Sequence, residues 1–185
     1  MKTETLTRTK WITDNSFCEY GFSITYLRIT RVKGVFREAN VTIYTEDDDF
    51  LSSSIEVRIN AASIDTGDEE RDALLRSPDF FDVENFKHIV FISKKIEKTR
   101  NEDRFALQGI LSIKDVAAPV RLDVENRGSE KDPLGILKTG FAVTGKIMRS
   151  DWDLTWNTQL ESGGVLVGDE VMINCEIQLM KADTD

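Results

Sequence analysis

Histidine is nearly absent from this chain. A histidine-based metal site or a Ser/His/Asp triad would have to be built on the only one, His88. Cysteine is almost as scarce: Cys18 and Cys175 lie near opposite ends and form no CxxC pair, which argues against a zinc site. They read as two buried free thiols, with a disulfide between first and last strands as the alternative in an oxidising compartment. The three prolines all fall at expected breaks, and no Pro-rich linker divides the chain, so residues 1–185 read as one domain. Apolar runs are short, Ile89-Val90-Phe91-Ile92 being typical, far below the length of a membrane span. Cations are outnumbered, 24 against 33 acidic residues, and the net charge of −9 argues against nucleic acid or an anionic membrane as partner. Met1 to Lys10 has no apolar core of a secretory leader. The expected compartment is cytoplasmic, or periplasmic if a leader has been removed. No nucleophile elbow, phosphate loop or dinucleotide fingerprint occurs, and no carboxylate pair stands out. No metal, cofactor or catalytic residue is expected.

What is present is alternation. Cys18, Tyr20, Phe22, Ile24 and Tyr26 share one face of a first strand, with polar or small residues between them. Val32 to Glu46 reads as a long second strand that bends at Gly34. Ser54–Asn60, Ile89 to about Lys98, Phe105–Ile113, Val120–Val124, Leu137–Ile147 and Val171–Leu179 continue the pattern. Val116–Pro119 is expected to turn the chain. Eight alternating strands joined by short polar turns predict an antiparallel meander, and closure into a barrel removes its edges. Such an interior is either filled by side chains or left open for one small ligand. Tyr20, Phe22, Tyr26, Phe91, Phe105 and Phe141 fall on the inward faces, joined by the aliphatic Ile24 and Leu111. Small residues there (Ser93, Gly109, Thr139, Gly145) lean toward empty space.

Between the third and fourth strands, Ser63 to Asp82 departs from this rhythm. Thr66 and Glu69 have capping-box spacing, and Ala73, Leu74 and Leu75 form a short apolar helical face. Ser77-Pro78 ends that helix, and Phe80-Phe81 need a site to bury them.

The run Ser63-Ile64-Asp65-Thr66-Gly67, then Arg71-Asp72, then Leu75 to Asp82 resembles the signature of the YceI-like, polyisoprenoid-binding family. The resemblance extends through Trp11…Asp14, Gly34-Val35-Phe36, Ile89…Phe91…Ser93, Pro119-Val120, Arg149-Ser150-Asp151-Trp152 and Val167 to Val171. It implies an all-β fold: an extended eight-stranded antiparallel, lipocalin-like β-barrel with a short helical insertion. It also implies a long apolar tunnel holding a polyisoprenoid or another amphipathic lipid. On that reading Phe80 and Phe81 anchor the insertion and line the tunnel, Arg71 and Asp72 fix it by hydrogen bonds, and Arg149 and Asp151 make a structural ion pair. Family histidines are replaced by Phe17, Tyr26 and Leu74, and Cys18 stands where a serine is usual, which implies a different headgroup or a purely apolar ligand here.

The expected function is therefore non-catalytic binding, storage or transport of a small-molecule lipid. The expected ligand-contacting residues are Tyr20, Phe22, Ile24, Tyr26, Phe80, Phe81, Phe91, Leu111 and Phe141. The alternatives are a filled-core structural or stress-response barrel and, third, a lipid-modifying enzyme. A homodimer is open to it.

Overall fold

The computed structural model describes residues 6–182. Strands β1 (Arg8–Thr13), β2 (Glu19–Tyr26), β3 (Thr30–Phe36), β4 (Ala39–Glu46), β5 (Asp49–Asn60) and β6 (Ile64–Asp65) precede the helix α1 (Glu69–Arg76). After it come β7 (His88–Lys98), β8 (Arg104–Ile113), β9 (Val116–Lys131), β10 (Leu137–Met148) and β11 (Val167–Lys181). The first six are three long staves, each broken once. β2 pairs with β3 while β1 pairs with β4; β4 pairs with β5 while β3 pairs with β6. The ring runs β1–β4–β5–β7–β8–β9–β10–β11 and returns to β1, an eight-stranded antiparallel barrel. β11 closes it, pairing through Leu179–Lys181 with β1 and through Val167–Glu176 with β2. The β2–β3–β6 half-staves extend the wall beyond the ring.

The breaks have local causes. The expected strand Val32–Glu46 parts at Arg37-Glu38, whose N–H groups donate to the Ser63 carbonyl and hydroxyl instead of a neighbouring strand. Between β1 and β2 a 3₁₀ turn, Asn15–Phe17, interrupts the first stave, and Gln178 N–H donates to Cys18 Sγ at 3.3 Å. The expected turn at Val116–Pro119 lies instead at Lys114-Asp115, and Pro119 sits inside β9 opposite Ile110. Proline is tolerated there because the ladder from β9 to β10 starts only at Leu122, leaving β9 paired on one side.

The helix is held differently from its sequence pattern. Its N-cap is Asp68, which accepts from Arg71 N–H; Thr66 does not cap it. Thr66 instead donates its N–H and hydroxyl to Asp72, and Arg71 Nε donates to the Thr66 hydroxyl at 2.7 Å. Ala73 is exposed and Leu74 and Leu75 are only half-buried, whereas Asp72 is the one buried residue of α1. An eight-residue helix contributes little stability alone. This polar lock to the β6 end, with Phe80 and Phe81 behind it, fixes its place.

The core divides into two clusters along the barrel axis. One end is filled by Trp152 and Leu154 against Ala61, Ile89, Ile113 and Val120. The other holds Trp11, Ala39, Val41, Ile43, Phe141 and Leu179. The two buried tryptophans satisfy their N–H groups inside, from Trp152 to the Leu111 carbonyl at 2.8 Å and from Trp11 to the Thr45 hydroxyl at 3.0 Å. Buried indoles usually require such a partner.

Trp152 enters the barrel from a 3₁₀ turn, Arg149–Trp152, that Arg149 organises. Its buried guanidinium donates to the carbonyls of Gly168 (2.8 Å), Leu154 (2.5 Å), Trp156 (3.0 Å) and Val167 (3.3 Å). The expected ion pair with Asp151 is absent: Asp151 is exposed, and Arg149 is satisfied by carbonyls of the loop after β10 and of the first residues of β11. Burial holds its pKa below the usual arginine value, opposed by the Asp169 charge. Only a planar fork can serve so many carbonyls at once. Arg149→Met is expected to lower unfolding free energy by about 3 kcal/mol, from buried carbonyls left unpaired. Arg149→Lys should recover less than half of it in urea titrations.

Candidate functional site

Between the two end clusters lies a cavity of about 180 Å³. Its wall is built by alternation: Val41 from β4, Ile55, Val57 and Ile59 from β5, Phe91 from β7, and Leu107 and Leu111 from β8. Val120, Leu122 and Val124 from β9, Phe141 and Val143 from β10, and Ile173, Cys175 and Ile177 from β11 complete it. The Ser53 hydroxyl is turned back onto the Phe50 carbonyl at 2.6 Å, which leaves the lining apolar. Both axial exits are filled. At one, Phe50 packs on Trp11 and Phe141 with ring centres 5.0 and 5.1 Å apart. At the other, Trp152 is 1% exposed.

Of the expected contact residues, Tyr20, Phe91, Leu111 and Phe141 lie on the cavity wall. Phe22, Ile24, Tyr26, Phe80 and Phe81 do not. The β2 residues share Tyr20's parity, but the stave runs past the end of the ring. Phe22 there packs on Phe36 and fills the space left by Gly34, whose Cβ would fall 2.4 Å from the Phe22 ring. Ile24 pairs with Val32 and Val171, and Tyr26 is 36% exposed at the hairpin end. Phe80 is buried against Trp156, and Phe81 meets Phe36 edge-on at 5.9 Å. Together Phe22, Phe36 and Phe81 form an aromatic row outside the cavity.

The small inward residues do not create the empty space. A Cβ at Gly109 would lie 2.5 Å from the Phe91 ring, and one at Gly145 would lie 2.6 Å from Leu122. Larger neighbours have grown into both gaps. Thr139 bonds the Ser129 hydroxyl at 2.8 Å, and Ser93 accepts from Ile55 N–H. The space arises where medium aliphatic side chains from opposite staves fall short of one another. Phe50 carries no alternation signal, because it follows the acidic run Glu46–Asp49 and precedes the stretch that alternates clearly.

The site's ionisable groups are quiet. Tyr20 is 6% exposed, and its hydroxyl is the only buried side-chain nitrogen or oxygen among the described residues with no hydrogen-bond partner. Burial, with the neighbouring Cys18 thiol, raises its pKa. Cys18 and Cys175 are both free, as half-buried residues and not the fully buried ones expected. Burial pushes the Cys175 thiol up to about 11 and raises Cys18 as well. A thiolate is the nucleophilic form, so the cavity wall presents an inert sulfur. Iodoacetamide at pH 8 should therefore alkylate Cys175 on the order of 100-fold more slowly in the folded chain than in urea. Peptide mass mapping measures it. Equal rates would contradict the half-buried, unionised thiol.

Among the described residues no group of His, Cys, Asp and Glu is placed to hold a metal, and no helix is long and apolar enough to cross a membrane. The geometry has counterparts among known proteins. The chain is 33% identical over 164 residues to a UPF0312 protein of Staphylococcus aureus (strain MSSA476), covering 88% of this chain and 92% of that one. It is 36% identical over the same length to one from Staphylococcus epidermidis, with the same coverage. The barrel superimposes on Burkholderia cenocepacia BcnA with a TM-score of 0.76 at 20% identity, covering 90% of this chain and 98% of that one. For the Campylobacter jejuni YceI protein the TM-score is 0.71 at 30% identity, over 86% of this chain and 91% of that one. A polyisoprenoid binding domain from Saccharophagus degradans shares the fold, with a TM-score of 0.64 at 12% identity over 93% and 98% of the two chains. Residues 11–179 match the YceI-like domain, and the chain belongs to that family.

Proposed function

We propose that the barrel binds the hydrocarbon part of a polyisoprenoid or another amphipathic lipid and shields it from water, without chemical conversion. The observation that carries this reading is the cavity of about 180 Å³ inside the barrel, with an apolar wall. Native cores rarely leave a void that large, because packing lost there costs stability. An engineered void of about 150 Å³ with a similar lining stays dry and takes up benzene. A dry apolar void gains free energy by accepting hydrocarbon, about 0.8 kcal/mol for each methylene removed from water. Ordering the tail offsets part of that gain. The domain name of the Saccharophagus degradans relative agrees with this reading.

The cavity is shorter than the through-going tunnel expected from the sequence, because Trp11, Phe50 and Trp152 fill its ends. A long isoprenoid requires the walls to move apart. The inert Cys175 and the absence of a polar cluster on the wall suit storage or transport of the ligand better than turnover.

The test is to fill the void. Val57→Phe with Val143→Phe should reduce affinity for 11-(dansylamino)undecanoic acid at least tenfold in fluorescence titrations, while thermal stability holds or rises. Unchanged affinity would place binding elsewhere and favour the filled-core reading.

A further inference from the structure

The wall of the barrel is not uniformly closed. Along the ring the pairings of β1 with β11 and of β5 with β7 are short; the first is continued by β2 along the rest of β11, whereas the second is continued by no other strand. The β5–β7 pairing runs only from Asn60 with His88 to Glu56 with Ile92. Both strands continue beyond it, β5 back to Asp49 and β7 on to Lys98. The Ser93 hydroxyl takes the Ile55 N–H at 2.9 Å, replacing the next backbone partner. At Lys94 the β7–β8 register shifts, leaving an extra residue that carries β7 away with β8, to which it remains paired as far as Lys98 with Phe105. β5 meanwhile stays paired with β4 as far as Ser54 opposite Tyr44; beyond a register shift that leaves Phe50–Ser53 out of the ladder, Asp49 meets Glu46. The result is a seam between Asp49–Ile55 and Ser93–Lys98, running from the end of the short ladder to the rim.

This seam overlies the cavity. Phe50, Ser53 and Ile55 on one lip and Ile96 on the other all line it. The axial routes are filled by indole and phenyl rings, so a tail leaving that way would have to displace Trp11 or Trp152. Opening the seam costs no backbone hydrogen bond beyond the Ser93–Ile55 contact. The cationic lip is β7. Lys94, Lys95 and Lys98 are exposed there, in a chain of net charge −9. Lys95 is engaged by Glu97, whereas Lys94 and Lys98 make no ion pair among the described residues. Lys98 stands opposite Phe105, two residues beyond the inward Ile96, and so shares the interior-facing side of β7 at the rim. The opposite lip carries the Ser52–Ser54 hydroxyls, then the acidic turn Glu46–Asp49, where Asp48 is neutralised by Lys181.

We infer that the seam between β5 and β7 is the portal through which the lipid tail passes, and that Lys98 holds an anionic headgroup, a carboxylate or a phosphate, at its rim. This rests on the lipid-binding reading above. It also identifies how a resting cavity of about 180 Å³ accommodates a longer chain, since β5 and β7 separate without breaking the ladders on their other sides.

The experiment places cysteines on the exposed positions of the two lips, Ser54→Cys and Lys95→Cys, in a Cys18→Ser, Cys175→Val background. A short bis-maleimide then bridges them. Stopped-flow fluorescence with 11-(dansylamino)undecanoic acid compares bridged and unbridged protein. Bridging should slow both association and dissociation at least tenfold, and unchanged rates would overturn the portal. Separately, Lys98→Glu should weaken geranylgeranyl phosphate about tenfold and leave geranylgeraniol within twofold. Equal effects on both, or none on either, would overturn the headgroup role while leaving lipid binding intact. If the unbridged protein binds none of these probes, the lipid-binding reading itself falls, and the portal with it.

Discussion

Closure of the sheet by β11 is the constraint on which the rest of this structure depends. β11 must serve two partners on one edge, β1 near its C-terminus and β2 along the remainder. The first stave therefore cannot run straight, and the Asn15–Phe17 turn absorbs the offset. A closed ring has no free edges to template aggregation, and it fixes which side chains face one another across the interior. Trp11 and Trp152 then decide how much of that interior is left. Trp11 enters from within β1 and Trp152 from the 3₁₀ turn after β10, and each buries its ring and satisfies its N–H within the barrel. What remains between them is lined by aliphatic side chains that do not meet.

The loop after β10 and the helical insertion hold one end of the barrel by polar means. Arg149 gathers four carbonyls, and Asp72 gathers the N–H and hydroxyl of Thr66. Such contacts specify geometry more than they add net stability, because burying the charges offsets much of what the bonds return. They keep Trp152 and the Phe80–Phe81 segment in register with the barrel. The seam at the other end has no comparable lock. One region is pinned and another is left unzipped, and the unzipped one lies beside the cavity.

Most of the architecture was legible in the sequence because strand alternation has a period of two and a barrel buries one face only. Residues such as Val57, Leu107, Leu122, Phe141 and Ile177 announce the interior by parity alone. Parity does not say where along a stave the interior ends. Phe22, Ile24 and Tyr26 have the right phase yet lie beyond the ring, on the β2–β3–β6 extension. Nor does a small residue report a void: Gly109 and Gly145 are occupied by Phe91 and Leu122, whose rotamers depend on partners far away in the chain. Asp68 replaced Thr66 as the helix cap because Thr66 is drawn to Asp72, a choice between two local bonds that spacing cannot rank. The seam rests on the Ile55 N–H donating to the Ser93 hydroxyl, and the alternation of β5 and β7 carries no trace of it.

The central claim is that the cavity exists to hold hydrocarbon. Native mass spectrometry of the protein purified from its own host, followed by organic extraction of the bound fraction, tests it most directly. The account predicts one lipid per chain, with a hydrocarbon tail in the extracted mass. A clean ligand-free mass, together with failure to take up added geranylgeranyl phosphate or geranylgeraniol, would contradict it and leave a barrel whose central void is a packing defect.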